Sequence, residues 1–232
     1  MTKRLQTLGV VLAVIGLGFL AGAGVAFAKV QAGYDSLHAF SAAQNVELTY
    51  NADGQLADDT GSTEEAVAIM SLLKDDWKYP VVSSDLNPND PVVNTASEYM
   101  YQMATITYHT ITRPQTVVLP EDVTADNGKV FKAGSYDFNP NGKYWTGYDR
   151  SNPIEAIARD QAWSGTAHGL IAELGVGTVT HSALQLGLAL AGILAGLGLT
   201  IILAGLGLVW VGRAPAQITA PVAERTAEPV LV

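Results

Sequence analysis

Gly24–Gly33 reads GVAFAKVQAG, and the organisation of the whole chain depends on it. Ala26-Phe27-Ala28 is a small-x-small triplet of the kind signal peptidase cuts, which would free the chain at its N-terminus. Two features favour a retained helix. The uncharged run before the triplet, Leu8–Ala28, has the roughly 20 residues of a membrane span rather than the 7–15 of a signal h-region. Beyond it, Val30, Tyr34 and Leu37 recur at i, i+4 and i+7, so one helical stripe carries on past the triplet. The first span is therefore expected to stay attached and to continue as a stalk to about Gln44.

A second apolar stretch matches the first. No charged residue occurs from Leu174 to Gly212, and Ser182–Val211 is long enough to span a bilayer with tilt. Lys3 and Arg4 precede the first span and Arg213 follows the second, so both termini are expected on the cytoplasmic side of a plasma membrane. The expected layout is a cytoplasmic N-terminus (1–7), a first span (8–28), an extracytoplasmic domain (29–181), a second span (182–211) and a cytoplasmic tail (212–232), read as disordered. Gly18 with Gly22, and Gly192 with Gly196, have the i, i+4 spacing that lets helices approach closely. They are candidates for the seam of a hairpin between the spans, or of a dimer.

Charge divides the chain in the same way. The section from Lys29 to His181 holds nine Lys and Arg against twenty Asp and Glu, a net −11 in a protein of net −9. Such a domain is a poor partner for nucleic acid. The chain has no cysteine, which excludes disulfides, thiolate metal sites and cysteine nucleophiles.

Within the domain, Val46–Tyr50 alternates like a strand and Asn51–Gly54 is a turn. Ser62 and Glu65 have capping-box spacing ahead of a helix whose apolar face is Ala66, Ile69, Met70 and Leu73. Asp90-Pro91 suits the start of a second helix, read through to Ile111, with a strand as the alternative for its Thr/Ile/Tyr-rich end. From Arg113 to Phe138, short β-prone runs broken by Pro120, Asn127-Gly128 and Gly134 predict a small antiparallel element. Residues 151–175 read as one or two helices with Pro153 near the start, and Gly175 and Gly177 separate them from the second span. The fold class is thus membrane α+β: two transmembrane helices flank one mainly helical extracytoplasmic domain with a small antiparallel β element.

Chemistry is sparse. His38, His109, His168 and His181 show no H-x-H or H-x-x-x-H spacing. Tyr50–Asp59 has a faint calcium-loop look, but placing Gly54 at the sixth loop position puts Thr49 and Thr60 where carboxylates are required. Ser164 and His168 would share a helix face, with no acid placed to orient the histidine. Adjacent carboxylates such as Asp58-Asp59 and Glu64-Glu65 point different ways and make poor acid/base pairs. The most site-like stretch is Lys143–Arg150, KYWTGYDR, where Tyr144, Trp145 and Tyr148 offer flat amphipathic surface beside Asp149 and Arg150. It suits a sugar-stacking site or a protein interface. Equally, the aromatics could pack on the following helix while Asp149 pairs with Arg150.

Four segments together resemble a group of actinobacterial two-span membrane proteins of uncharacterised function: VLAVIGLGFLAGAGVAFAKV (Val11–Val30), AAQNVELTYNADG (Ala42–Gly54), LPEDV with NGKVFKAGSYDF, and the long ARDQAWSG…LAGLGL stretch. Members of that group often carry the label "aromatic ring-opening dioxygenase". Such enzymes hold non-haem iron with two histidines and a carboxylate, and no spacing here spells that set. The resemblance implies an envelope membrane protein. The expected function is that of a non-enzymatic accessory or interaction subunit, with no cofactor, whose partners are membrane lipid and other membrane proteins or a second copy. A glycan or small-ligand binding module is the alternative, and a cryptic enzyme the third reading.

Overall fold

A computed structural model describes residues 2–213 of the chain. The tail reading beyond Arg213 lies outside the described residues. Helices dominate, and the small sheet element lies between the third and fourth of them. Two helices are long and apolar enough to cross a membrane: α1, Thr2–Gln44, and α5, Gly165–Gly212. The chain divides into two compact units, one made of the residues up to Phe27 and from Ala189, the other of Ala28–Leu188.

In the first unit, α1 and α5 pack backbone against backbone. A Cβ placed on Gly9 would stand 2.4 Å from the Gly205 carbonyl oxygen, and one on Gly16 would stand 2.7 Å from that of Gly198. The reverse contacts are equally tight, at 2.5 Å from Gly205 to the Gly9 oxygen and 2.8 Å from Gly198 to the Gly16 oxygen. As α1 numbers rise their partners fall, so the pair is antiparallel. The buried positions are 9, 16 and 23 on α1 and 191, 198, 205 and 212 on α5, all Gly or Ala. A seven-residue repeat of small residues keeps one seam facing its partner along a left-handed supercoil. At the end of α5, Gln6 Nε2 donates to the otherwise open Gly212 carbonyl at 3.0 Å.

Gly18, Gly22, Gly192 and Gly196 are not in this seam. All four are exposed, and a Cβ on any of them would meet nothing within 4 Å. At about 100° per residue, Gly18 lies roughly 200° round α1 from Gly16, and Gly196 lies the same angle from Gly198. The hairpin seam expected from i, i+4 spacing is therefore corrected to a heptad seam.

In the second unit, α1 ends where Asn45 turns left-handed (φ 51°), its N–H bonded to the Ser41 carbonyl at 2.9 Å. Asparagine tolerates that conformation better than most side chains and ends helices for that reason. Val46–Tyr50 forms only isolated bridges, Glu47 with Val92 and Tyr50 with Leu56, rather than a strand. The turn that follows is made by Asn51, whose side chain accepts from the Asp53 and Gln55 amides.

Helix α2, Glu64–Ser71, buries Ala66 and Ile69 and continues as a π-helical turn, Leu72–Asp76, that buries Leu72 and Leu73. The Ser62/Glu65 capping box does not form. Thr63 holds the cap position, and Glu65 turns instead toward α3. Helix α3, Ala96–Thr112, begins five residues after Pro91, because Thr95 and Glu98 form a full capping box there. Asp90 serves a short turn with Asn87. The Thr/Ile/Tyr-rich end is helical to Thr112.

Strands β1 (Gln115–Leu119) and β4 (Gly134–Phe138) pair antiparallel, with Val117 opposite Tyr136. Between them, β2 (Val123–Thr124) and β3 (Val130–Phe131) form a hairpin closed at Asn127-Gly128, where Gly128 takes φ 79°. Helix α4, Pro153–Ala162, is capped by the Asn152 side chain and lays Ile154 and Ala158 on Val117 and Leu119. A second cluster joins Leu37, Leu48, Leu72, Leu73, Tyr99, Ala104 and Leu174, linking α1, α2, α3 and α5.

Gly175 and Gly177 do not interrupt α5. A helical glycine costs only about 0.5–1 kcal/mol against alanine, and Gly177 has a packing reason: a Cβ there would fall 2.6 Å from the Tyr99 ring.

Candidate functional site

The Lys143–Arg150 loop is held by the secondary structure on either side. Asn141 and Gly142, both at positive φ, turn the chain after β4, and the Gly142 amide donates to the Ile111 carbonyl at 2.8 Å. A 3-10 turn, Trp145–Gly147, then presents the aromatic side chains. Tyr148 points inward, 6% exposed, against Ile111, Ala162 and Trp163. Burial raises its phenol pKa, and the neighbouring Trp163 side chain opposes that rise without reaching hydrogen-bond geometry. Tyr144 stays exposed and accepts from Trp77 Nε1 at 2.9 Å.

Trp145 is flanked by cations. The Arg159 guanidinium lies 4.0 Å from its ring centroid and that of Arg150 5.9 Å, while His168 meets it edge-on at 5.1 Å. Trp163 continues the cluster, 5.7 Å from His168 and 5.9 Å from Tyr144. Asp149 does not pair with Arg150. Its Oδ1 accepts from the Ser151 amide and hydroxyl, and those bonds, the hydroxyl first, hold its carboxyl below the usual range. Lys143 pairs with buried Glu155, which also accepts from the Asp149 amide at 2.8 Å.

Of the five residues read from the sequence, the structure brings Tyr144, Trp145, Tyr148 and Arg150 into one cluster and gives Asp149 a turn-forming job. The reading missed Trp77, Arg159, Trp163 and His168. Arg159 and Trp163 are four apart, so helical spacing alone could have placed them on one face. Trp77 carried no such signal, because it comes from a segment 67 residues from Tyr144.

What the cluster offers is a rigid aromatic–cationic surface rather than an open stacking face, since a guanidinium already covers Trp145. Among the described residues, the buried Trp163 Nε1 and Arg159 Nη1 have no hydrogen-bond partner. Arg159→Ala is expected to lower the stability of the domain by about 1–2 kcal/mol, through the lost cation–π contact and the packing of its stem. Denaturant unfolding followed by tryptophan fluorescence checks this, and an unchanged midpoint would contradict it.

A second polar group lines a cleft of about 310 Å³ between the start of the domain and α3. Here Glu65 pairs with His109 Nε2, and Arg113 Nη2 stands 3.8 Å from Glu65 and 3.1 Å from His109. Asp58 faces the same cleft, but its Oδ1 accepts from Thr60 N, Thr60 Oγ1 and Ser62 N, and these bonds hold its carboxyl low. Burial pushes the Tyr101 phenol at the back of the cleft up to about 12. His109 and Arg113 lie one turn apart on α3, a spacing legible in the sequence, whereas Glu65 comes from α2. Among the described residues that line the cleft there is no serine, and the Thr105 hydroxyl is spent on the Tyr101 carbonyl at 3.0 Å.

His168 Nδ1 meets the Ser164 carbonyl oxygen at 3.1 Å, and Ser164 Oγ accepts from the Ala167 amide. The serine therefore caps α5, and the pair is not a nucleophile–base dyad. Among the described residues no three His, Asp or Glu side chains converge as a metal-binding group. Comparison of the chain with protein-family models, curated proteins and solved structures gives no match.

Proposed function

We propose that the protein is a non-enzymatic membrane protein of the cell envelope, in which a two-helix hairpin anchors an acidic extracytoplasmic domain that serves a larger membrane complex. The observation that carries the reading is the glycine seam. Two helices of membrane length pack backbone to backbone through Gly9, Gly16, Gly198 and Gly205. Their other faces present Leu17, Val25, Leu197, Leu203 and Leu206 outward. Water would penalise those exposed faces, and lipid would not. Lys3, Arg4 and Arg213 sit at the ends expected to be cytoplasmic. The likeness to actinobacterial two-span proteins belongs to the same proposal. The exposed Tyr144 and Arg150 at the edge of the aromatic cluster are the surface offered to a partner.

The absence of cysteine makes topology simple to test. In intact cells, Asp126→Cys, in the exposed β2–β3 turn, is expected to react with a membrane-impermeant maleimide. Thr2→Cys is expected to react only after permeabilisation. The opposite pattern would reverse the topology, and equal labelling of both would remove the anchor. Purification in mild detergent is expected to yield an assembly larger than the monomer. A free monomer throughout would count against an accessory role.

A further inference from the structure

A groove of about 550 Å³ runs between α1, α3 and α5 within the Ala28–Leu188 unit. Leu37, Phe40, Ile106, Leu170 and Val176 make most of its walls, and Tyr99 forms its floor. Tyr99 is 6% exposed, and its hydroxyl is engaged with Ser41 Oγ at 2.7 Å. Its ring lies against α5 only because residue 177 is glycine. The Tyr99 and Ser41 hydroxyls are thus spent on each other, and Gln44, Gln102, Glu173 and Thr180 are the other polar side chains in a mainly apolar lining.

Three observations bear on the occupant. The size falls in the range of about 300–1,000 Å³ found for small-molecule sites, and the walls are almost wholly apolar. Among the described residues that line it, Glu173 is the one that carries a charge, and none is a cation that would meet an anionic headgroup. Two of the three helices that line it, α1 and α5, are the ones that carry the membrane-length apolar segments, so bilayer lipid is the apolar solute at hand. Phe40 and Val176 remain exposed at its rim.

We infer that this groove takes one acyl chain of a membrane lipid whose headgroup has no net negative charge. The inference rests on the membrane-anchor reading above. Glu173 repels phosphate-bearing anionic headgroups, as does the net −11 of the domain.

The test uses the full chain in phosphatidylcholine nanodiscs in which the lipid carries a mid-chain diazirine. After irradiation and digestion, adducts are expected within residues 37–46, 93–106 and 170–180, in addition to those in the two spans. Val176→Trp, at an exposed rim position, is expected to lower the groove adducts at least fivefold and leave span adducts unchanged. Leu170→Glu is expected to do the same. A phosphatidylglycerol probe with the same chain is expected to label the groove several-fold less. Adducts confined to the spans would overturn the groove assignment while leaving the anchor intact, and adducts in neither would remove the anchor itself. Equal groove labelling by both headgroups would overturn the charge preference. A co-purifying polypeptide crosslinked in the groove in place of lipid would overturn the occupant.

Discussion

Gly198→Leu is expected to cost about 3 kcal/mol or more. The Cβ of residue 198 would sit 2.8 Å from the Gly16 carbonyl oxygen and 3.0 Å from the Leu20 amide nitrogen. Those atoms belong to backbone, which cannot rotate aside as a side-chain tip can. The two helices must separate, and their Gly9–Gly205 contact goes with them. Overpacking a fitted interior costs about 1–3 kcal/mol, and more where the obstacle is rigid. Gly192→Leu is the matched control, because its Cβ meets nothing within 4 Å. Thermal unfolding in detergent, followed by helical circular dichroism, should show a large drop for the first variant and almost none for the second. Equal drops would mean that the helices do not pair through the heptad seam.

The second large effect is expected at Glu98. This carboxylate is 1% exposed and ties the start of α3 together. Its Oε2 accepts from the Asn94 amide at 3.0 Å, the Thr95 amide at 2.8 Å and the Thr95 hydroxyl at 2.9 Å. Glu98→Ala strands those donors and opens the helix end, an expected loss of about 2–4 kcal/mol. Glu98→Gln keeps one acceptor oxygen and should lose about 1 kcal/mol.

A pH dependence accompanies this loss. Burial raises the Glu98 carboxyl above its ordinary value of 4.5, against the opposing hydrogen bonds, and nearby Asp90 adds to the rise. The folded state thus holds this proton more tightly than the unfolded state. The associated stability is fully present below the ordinary value and is lost as pH rises through the folded one. Urea midpoints of the wild type, relative to Glu98→Gln, should fall as pH rises through that window. A constant difference between the two proteins would reject the assignment.

The capping residues show how far local reading goes. Ser62-x-x-Glu65 and Thr95-x-x-Glu98 are the same motif on paper, and only the second forms. Glu65 is drawn away by His109, a partner 44 residues distant, and proximity in sequence carries no trace of that competition. Pro153 at a helix start and Asn127-Gly128 at a turn read correctly because their chemistry closes within a few residues: a first-turn proline just after the Asn152 cap that the structure adds in one case, a positive φ in the other. The candidate cluster divides along the same line. Tyr144, Trp145 and Tyr148 were visible as neighbours in the chain, whereas Arg159 and Trp77 reach them across the fold.

The sequence by itself determined that two uncharged lengths match a bilayer, that the first helix carries on past Ala28, and that an acidic, cysteine-free section lies between them. These follow from hydropathy and periodicity, which need no partner. The tertiary structure decided which glycines touch. Each apolar helix carries glycines on several faces, and spacing along a helix says only which of them share a face. The relative register of α1 and α5, about 200 residues apart at the seam, selects Gly9 and Gly16 against Gly205 and Gly198 and leaves Gly18, Gly22, Gly192 and Gly196 outside. Close packing is a property of two surfaces together, and neither segment records it alone.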